Sequence, residues 1–146
     1  MPLSWIIMGL VAAILISSLA KLLPRGRTLH VNRLREAARK LGYRVERQPE
    51  LANDPALARC IGYRQSLQRC PLSREFSCQR EGEGWRWIYG SSEAAGVDAV
   101  LEALPAGVVR LERQAHSVLV LWPEPDRLDD LTALDEALAP MRESVA

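Results

Sequence analysis

Three cysteines and two histidines are the residues best suited to nucleophilic or metal chemistry. Cys60, Cys70 and Cys78 are separated by nine and seven residues, and none belongs to a Cys-x-x-Cys pair. This spacing matches no zinc motif, and three cysteines cannot all pair within one chain, which argues against a disulfide-stapled secreted scaffold. We expect small, partly buried thiols in a reducing cytoplasm, and whether they have a redox role stays open.

The remaining catalytic alternative is a Cys–His pair acting in acyl transfer. His30 follows the apolar amino-terminal segment closely, and His116 falls in a predicted turn. Neither histidine lies in an HExxH pattern or a similar arrangement of metal ligands. The sequence therefore predicts no catalytic residue, cofactor or metal, and we expect a protein that is not an enzyme.

The amino-terminal segment decides where the chain resides. No charged side chain occurs before Lys21, and residues 3–23 are almost uniformly apolar. As a helix, this segment rises about 31 Å, close to the roughly 30 Å thickness of the hydrocarbon core of a bilayer. Trp5 suits one interface, Lys21 can snorkel at the other, and Pro24 with Gly26 ends the helix. Residues 1–23 are therefore predicted to be a transmembrane anchor.

A cleaved signal peptide is the alternative, because Ser18-Leu19-Ala20 resembles a cleavage site. The absence of Lys or Arg before the apolar segment and the length of that segment favour an uncleaved anchor. The positive charges that follow predict a cytoplasmic carboxyl-terminal domain and an amino terminus outside. Composition rich in Ala, Leu and Arg suggests a GC-rich bacterial genome, and hence a bacterial inner membrane.

Small residues recur along one face of the anchor. Gly9, Ala13 and Ser17 are spaced by four and form a candidate helix-packing seam. This seam suggests a homodimer through the membrane helix or docking onto a membrane partner. The alternative is that such residues are simply common in membrane helices.

Basic and acidic residues are concentrated in different parts of the chain after the anchor, although the net charge of the whole chain is only +1. Residues 21–50 carry nine basic and three acidic side chains, whereas residues 91–146 carry four and eleven. An anionic leaflet attracts the first group and repels the second. The candidate membrane-surface contacts are Lys21, Arg25, Arg27, Arg33, Arg39 and Lys40. A nucleic-acid partner is not expected from this overall charge.

The remaining pattern predicts an α+β domain with a small antiparallel sheet covered by helices. A basic amphipathic helix is predicted over 31–41, with Leu34, Ala38 and Leu41 on one face. This helix either covers the sheet or lies on the lipid surface, and we favour packing against the sheet. Strands are predicted over 43–47, 59–64, 75–79, 85–89, 108–113 and 117–122, the last of them central because it is apolar on both faces. Two further helices are predicted. The first, over 93–104, has a predicted buried stripe of Val97, Val100, Leu101 and Leu104. The second, from 126 to Pro140, has a predicted buried stripe of Leu128, Leu131, Leu134 and Leu138.

The hairpin around Glu81-Gly-Glu-Gly84 carries a row of aromatic residues. Trp85, Trp87 and Tyr89 are predicted on one strand face by their period of two. Such a row is either the core face of a small sheet or a recognition surface. We favour a position in the core for these three side chains, because no RNA-binding signature accompanies them.

The predicted organisation is an anchor at 1–23, a basic juxtamembrane amphipathic helix at 24–42, a soluble α+β domain at 43–142 and a frayed tail at 143–146. The expected function is a single-pass adaptor or accessory subunit of a membrane-associated complex, whose cytoplasmic domain holds a protein partner. Two alternatives remain: a membrane-surface enzyme with a Cys/His site, and a lipid-headgroup or nucleic-acid binder that uses the basic helix. No family resemblance guides the choice.

Overall fold

The computed structural model describes residues 2–22, 26–51, 53–91, 93 and 96–143, with backbone only at 20–22 and 26–28. The chain divides into two compact units, Met1–Asn32 and Arg33–Ala146. The elements run in the order α1 (Pro2–Leu22), α2 (Gly26–Lys40), β1 (Tyr43–Glu46), β2 (Ile61–Ser66), β3 (Phe76–Glu81), β4 (Gly84–Tyr89), α3 (Asp98–Ala103), β5 (Arg110–Gln114), β6 (Ser117–Trp122) and α4 (Leu128–Glu143).

Helix α1 is long and apolar enough to cross a membrane. Its window Pro2–Leu19 has a mean hydropathy of 2.1, and none of that window is buried in the protein. Such a helix satisfies its own backbone hydrogen bonds, as a bilayer requires. A signal sequence near the amino terminus can also form a helix of this length and hydropathy.

The six strands form one antiparallel sheet in the order β1-β2-β6-β5-β3-β4. The predicted α+β class and the predicted strands are confirmed, with shifts of a few residues at their ends. Strand β6 is central, as its apolar composition indicates. Val118, Val120 and Trp122 point to one face of the sheet and are buried. Leu119 and Leu121 are buried on the other face.

The helices cover the face of the sheet that carries Val118, Val120 and Trp122, which we call the covered face. Alternation along each strand brings Tyr63, Leu111 and Phe76 to this face as well. The main hydrophobic core joins these side chains to residues from α2, α3 and α4. The other, open face has a smaller cluster formed by Leu57, Cys60, Leu119 and Leu121.

Helix α2 contributes directly to the core of the covered face. Leu34 and Ala38 are fully buried there, so this part of the helix covers the sheet. The prediction that Leu41 shares the buried face of this helix is wrong, because Leu41 is 41% exposed. The helix ends at Lys40, and Gly42 takes a positive φ of 93° in the following turn. Leu41 therefore leaves the helical stripe before it reaches the core.

Polar contacts tie α2 and α4 to the sheet near β1. Arg35 makes a bidentate pair with Glu124, at 2.8 Å from Nε and 2.5 Å from Nη2. The Tyr63 hydroxyl donates to the same carboxylate at 2.9 Å. Tyr43 and Arg142 both donate to Asp135 Oδ1, at 3.0 and 2.9 Å. Burial beside these carboxylates raises the pKa of both tyrosines.

Helix α3 is shorter than predicted. It spans Asp98–Ala103, and its N-cap is Val97. The sequence predicts an N-cap at Ser91 or Ser92, and Ser92 lies outside the described residues. Gly96 takes a positive φ of 64°, which interrupts the helical pattern expected from residue 93. The predicted stripe is nevertheless confirmed, because its four members are all buried: Val97, Val100, Leu101 and Leu104.

Helix α4 continues past its predicted end. It includes Pro140 and ends at Glu143, while residues 144–146 of the predicted tail lie outside the described residues. Met141 is buried and Arg142 bonds to Asp135, so contacts on both sides hold the last turn in helical form. Leu128 is 44% exposed and does not join the buried stripe, because it is the first residue of the helix.

Candidate functional site

Strand β4 forms one edge of the sheet, and its outer side pairs with no other strand in the part of the chain that the structure describes. Glu81 and Gly84 pair across a two-residue turn, so these two residues exchange the hydrogen bonds nearest the turn. Hydrogen-bonded and non-hydrogen-bonded residue pairs then alternate along β3 and β4. The backbone groups of Arg86 face β3, whereas those of Trp85 and Trp87 point outward from the edge.

A groove lies between β4 and α3 on the covered face, with a volume of about 480 Å³. Trp85 and Trp87 are half-buried along one wall, and Leu101 and Leu104 lie beneath them with 6% and 7% exposure. Trp87 packs on Phe76 with ring centroids 5.3 Å apart. The same residues therefore present aromatic surface to the groove and outward backbone groups at the sheet edge.

Three carboxylates dominate the charge around this groove. Glu83, Asp98 and Glu102 line it and are exposed. The one basic residue lining it, Arg80, stacks over Trp85 at 4.5 Å and donates to the Val108 carbonyl at 2.8 Å. Its guanidinium is therefore engaged within the domain, and the groove attracts cations.

The predicted row of three aromatic residues is split by a β-bulge. Cys78 pairs with Trp87, but Ser77 pairs with Tyr89, so Ile88 is an extra residue in β4. Because directly paired residues share a face, Tyr89 lies on the open face with Ser77. Burial and the nearby Glu112 raise the pKa of Tyr89, in agreement with this position. The expectation of a single face is therefore wrong for Tyr89 and correct for the two tryptophans.

The opposite edge of the sheet carries a basic cleft of about 520 Å³. Arg39, Arg44 and Arg64 line it, beside Ser66. Arg64 is half-buried and donates to Glu46, Gln114 and Ser117, whereas Arg39 and Arg44 are exposed. This edge is thus formed by the short strand β1 and by exposed guanidinium groups.

The candidate membrane-surface residues are only partly described. Arg33, Arg39 and Lys40 are exposed on α2. Arg25 lies outside the described residues, as do the side chains of Lys21 and Arg27. The candidate seam residues Gly9, Ala13 and Ser17 are exposed on α1, where a spacing of four places them on one side. Their role in packing stays a prediction.

The three thiols are buried in the domain. Desolvation raises the pKa of Cys60, and it raises the pKa of Cys78 to about 12, so both thiols stay protonated near neutral pH. Cys70 packs against the turn that carries His116, since its backbone N–H donates to Ala115. Its thiol lies 3.7 Å from the Gln114 carbonyl. His116 itself is exposed.

Sequence reasoning missed the charged residues of both edges. Arg44 and Arg64 alternate with apolar neighbours in their strands, which indicates a shared face but not a shared cleft. Asp98 and Glu102 lie one helical turn apart, a spacing that predicts a common side of α3. Their proximity to Trp85 depends on how α3 packs over β4, which no local pattern reveals.

No family model, curated protein or solved structure matches this chain.

Proposed function

We propose that the chain is a single-pass membrane protein whose cytoplasmic domain recruits a protein partner, as an adaptor or accessory subunit of a membrane-associated complex. The observation that carries the proposal is α1, whose apolar window of 18 residues is wholly exposed. In water that surface is unfavourable, whereas in a bilayer it is stable. The domain of residues 33–146 fills its core from its own side chains, so tethering leaves its edges available for binding.

The orientation rests on the charge around α1. Residues 2–20 contain no Lys or Arg and several basic residues follow them directly, a pattern that supports a cytoplasmic domain under the positive-inside rule. Composition favours a bacterial inner membrane. We expect a fluorescent reporter fused after residue 146 to be active in the cytoplasm, and a periplasmic phosphatase fused there to be inactive.

The matched control for orientation moves the charges. Replacing Lys21, Arg25 and Arg27 with Asn and adding six lysines before Trp5 outnumbers the four basic residues that remain over 33–40, and it is expected to reverse the two reporter activities. A mature chain that begins after Ala20, or phosphatase activity in the natural sequence, would contradict the proposed anchor.

Recruitment is tested by purifying the full chain from detergent-solubilised membranes and identifying stoichiometric partners. The control is α1 with residues 24–32 fused to an unrelated soluble domain. A partner that depends on residues 33–146 supports the proposal. Recovery of the chain alone contradicts it.

We propose that the domain is not an enzyme. Two thiols have raised pKa values and all three are buried, which disfavours the Cys–His alternative. Alanine substitution at Cys60, Cys70, Cys78 and His116 is therefore expected to leave partner recruitment and the cellular phenotype intact. Loss of the phenotype in a variant that remains folded would favour catalysis.

The basic cleft favours a second candidate function, the binding of an anionic lipid headgroup. Arg39 and Arg44 are exposed at its rim, and guanidinium groups bind phosphate well. Native mass spectrometry of the full chain with added phosphatidylglycerol tests this function. Retained lipid is expected to fall in R39Q/R44Q but not in the control R59Q/R127Q, whose arginines are exposed away from the cleft, and equal retention in both would contradict it.

A further inference from the structure

We propose that the edge strand β4 binds an extended, basic segment of a partner protein, which adds to the sheet as a seventh strand and places alternate side chains in the groove beside α3. This inference rests on the proposed recruitment function and identifies the surface that performs it. It follows from the backbone of β4, the aromatic wall of the groove and the charge of its rim.

The backbone supplies the first reason. Trp85 and Trp87 direct their N–H and C=O groups away from β3, as the pairing of Glu81 with Gly84 requires. A strand laid along this edge satisfies those groups with main-chain hydrogen bonds, which is the basis of peptide binding by strand addition.

The groove supplies the second reason. Side chains of an added strand alternate between the two faces of the sheet, so every second one enters the groove. There it meets Trp85 and Trp87, which are half-buried and already held by Arg80 and Phe76. Rigid aromatic walls offer contact area at little cost in conformational entropy. Apolar residues spaced by two therefore suit the centre of the bound segment.

The rim identifies the partner's charge. Glu83, Asp98 and Glu102 are exposed around the groove, and Arg80 is engaged with Val108 and Trp85. Lys or Arg at the ends of the bound segment complements these carboxylates. A second copy of this chain is disfavoured as the occupant, because edge-to-edge pairing of two β4 strands brings identical acidic rims together.

A synthetic peptide tests the site on the full chain in detergent micelles. The probe, acetyl-RTVTVTR-amide, places Arg, Val, Val and Arg on one side of an extended strand. With the tryptophans labelled with ¹⁵N, we expect exchange of the Trp85 and Trp87 amide protons to slow by at least about tenfold on saturation. The Trp122 amide, which lies in the central strand, provides the internal reference. Unchanged exchange at both edge amides overturns the proposal.

Charge reversal separates this mode of binding from general adhesion. D98K/E102K is expected to raise the Kd for the Arg peptide by at least about tenfold. The control E136K/E143K has the same change in net charge and is expected to alter that Kd by less than about twofold. D98K/E102K is also expected to gain affinity for acetyl-ETVTVTE-amide. Equal weakening by the two variants contradicts the assignment of the groove.

Crosslinking in intact membranes distinguishes failure of this inference from failure of the proposed function. A photoreactive residue is placed at Ile88, on the edge strand, or at Leu72, which is 83% exposed elsewhere. A product from position 88 that D98K/E102K abolishes supports the site. Products from position 72 alone leave recruitment standing and overturn the β4 site. Products from neither position overturn the β4 site, and copurification of a partner that depends on residues 33–146 then decides whether recruitment stands.

Discussion

The two edges of the sheet are held to the domain by different interactions, and the clefts beside them are lined by opposite charge. Near β1, partly buried polar contacts dominate, namely the Arg35–Glu124 pair and the bonds of Tyr43 and Arg142 to Asp135. Near β4, aromatic and stacking contacts dominate, and the adjoining groove is rimmed by carboxylates. The β1 edge adjoins a cleft lined by three arginines.

This difference supports the proposal that one edge of the sheet is protected against pairing while the other is left for binding. Short strands and exposed charge both discourage unwanted pairing. Strand β1 has four residues and exposed arginines beside it, whereas β4 has six residues and outward backbone groups next to a groove walled by two tryptophans. In the proposed mode of binding, the carboxylates beside β4 repel acidic chains and copies of the same chain, and they admit basic ones.

The largest expected effect concerns the end of β4. In Gly90→Ala, the added Cβ lies 2.7 Å from Phe76 Cβ and 2.8 Å from the Glu75 carbonyl oxygen, at a φ of +79°. We expect the free energy of unfolding to fall by about 3 kcal/mol or more, measured by denaturant titration. Gly82→Ala is the control, since its φ is +60° but no atom lies within 4 Å, and it is expected to cost about 1 kcal/mol. Equal losses would show that close packing at Gly90 is unimportant.

The next effect tests the polar attachment near β1. Glu124→Ala leaves Arg35 and the Tyr63 hydroxyl without their acceptor, and the Glu124 side chain is only 8% exposed. We expect a loss of about 3 kcal/mol in the free energy of unfolding. Glu46→Ala, which removes the more exposed pair with Arg64, is expected to cost about 1 kcal/mol. A larger loss in Glu46→Ala than in Glu124→Ala would contradict the importance of the more buried carboxylate.

Alkaline pH is expected to destabilise both sides of the sheet through different groups. Cys78, on β3 beside β4, has its pKa raised from 9.0 to about 12 by burial, so its contribution is complete below pH 9 and declines as the pH rises toward 12. Tyr43 and Tyr63 act in the same direction near β1. Cys78→Ala should therefore reduce the slope of unfolding free energy above pH 9 by up to about 1.4 kcal/mol per pH unit. An unchanged slope in repeated denaturant titrations would refute this assignment.

The smallest expected effect concerns the acidic rim. Asp98 and Glu102 are exposed, so D98K/E102K should change the free energy of unfolding by less than about 0.5 kcal/mol. Thermal unfolding followed by circular dichroism measures this change. A large loss would mean that the carboxylates serve the fold rather than a partner.

The order of elements was predictable because it depends on local patterns. Alternation identifies the strands, the Glu81-Gly82-Glu83-Gly84 sequence identifies the hairpin, and the apolar composition of residues 117–122 identifies the central strand. The position of Tyr89 was not predictable in this way. A period of two assumes an uninterrupted ladder, and the extra residue in β4 arises where β3 changes register.

The candidate site was less accessible to sequence reasoning than the fold. Trp85 and Trp87 stand out as large aromatic residues, but the groove requires α3 to lie beside them. That placement depends on Gly96, which interrupts the predicted helix, and on the burial of Leu101 and Leu104. Likewise, Arg35 belongs by sequence to the basic segment, yet its charge is used within the domain by Glu124, a residue 89 positions away.

The bulge at Ile88 allows one strand to supply aromatic groups to two surfaces that can change separately. Trp85 and Trp87 face α3, while Tyr89 lies among the polar residues of the open face. Mutations that alter the surface chemistry around Tyr89 therefore need not disturb the tryptophans two and four positions earlier. Conversely, deletion of the single residue Ile88 would restore regular alternation with the tyrosine still opposite Ser77 on the open face, so the groove would keep its two tryptophans and gain no third ring.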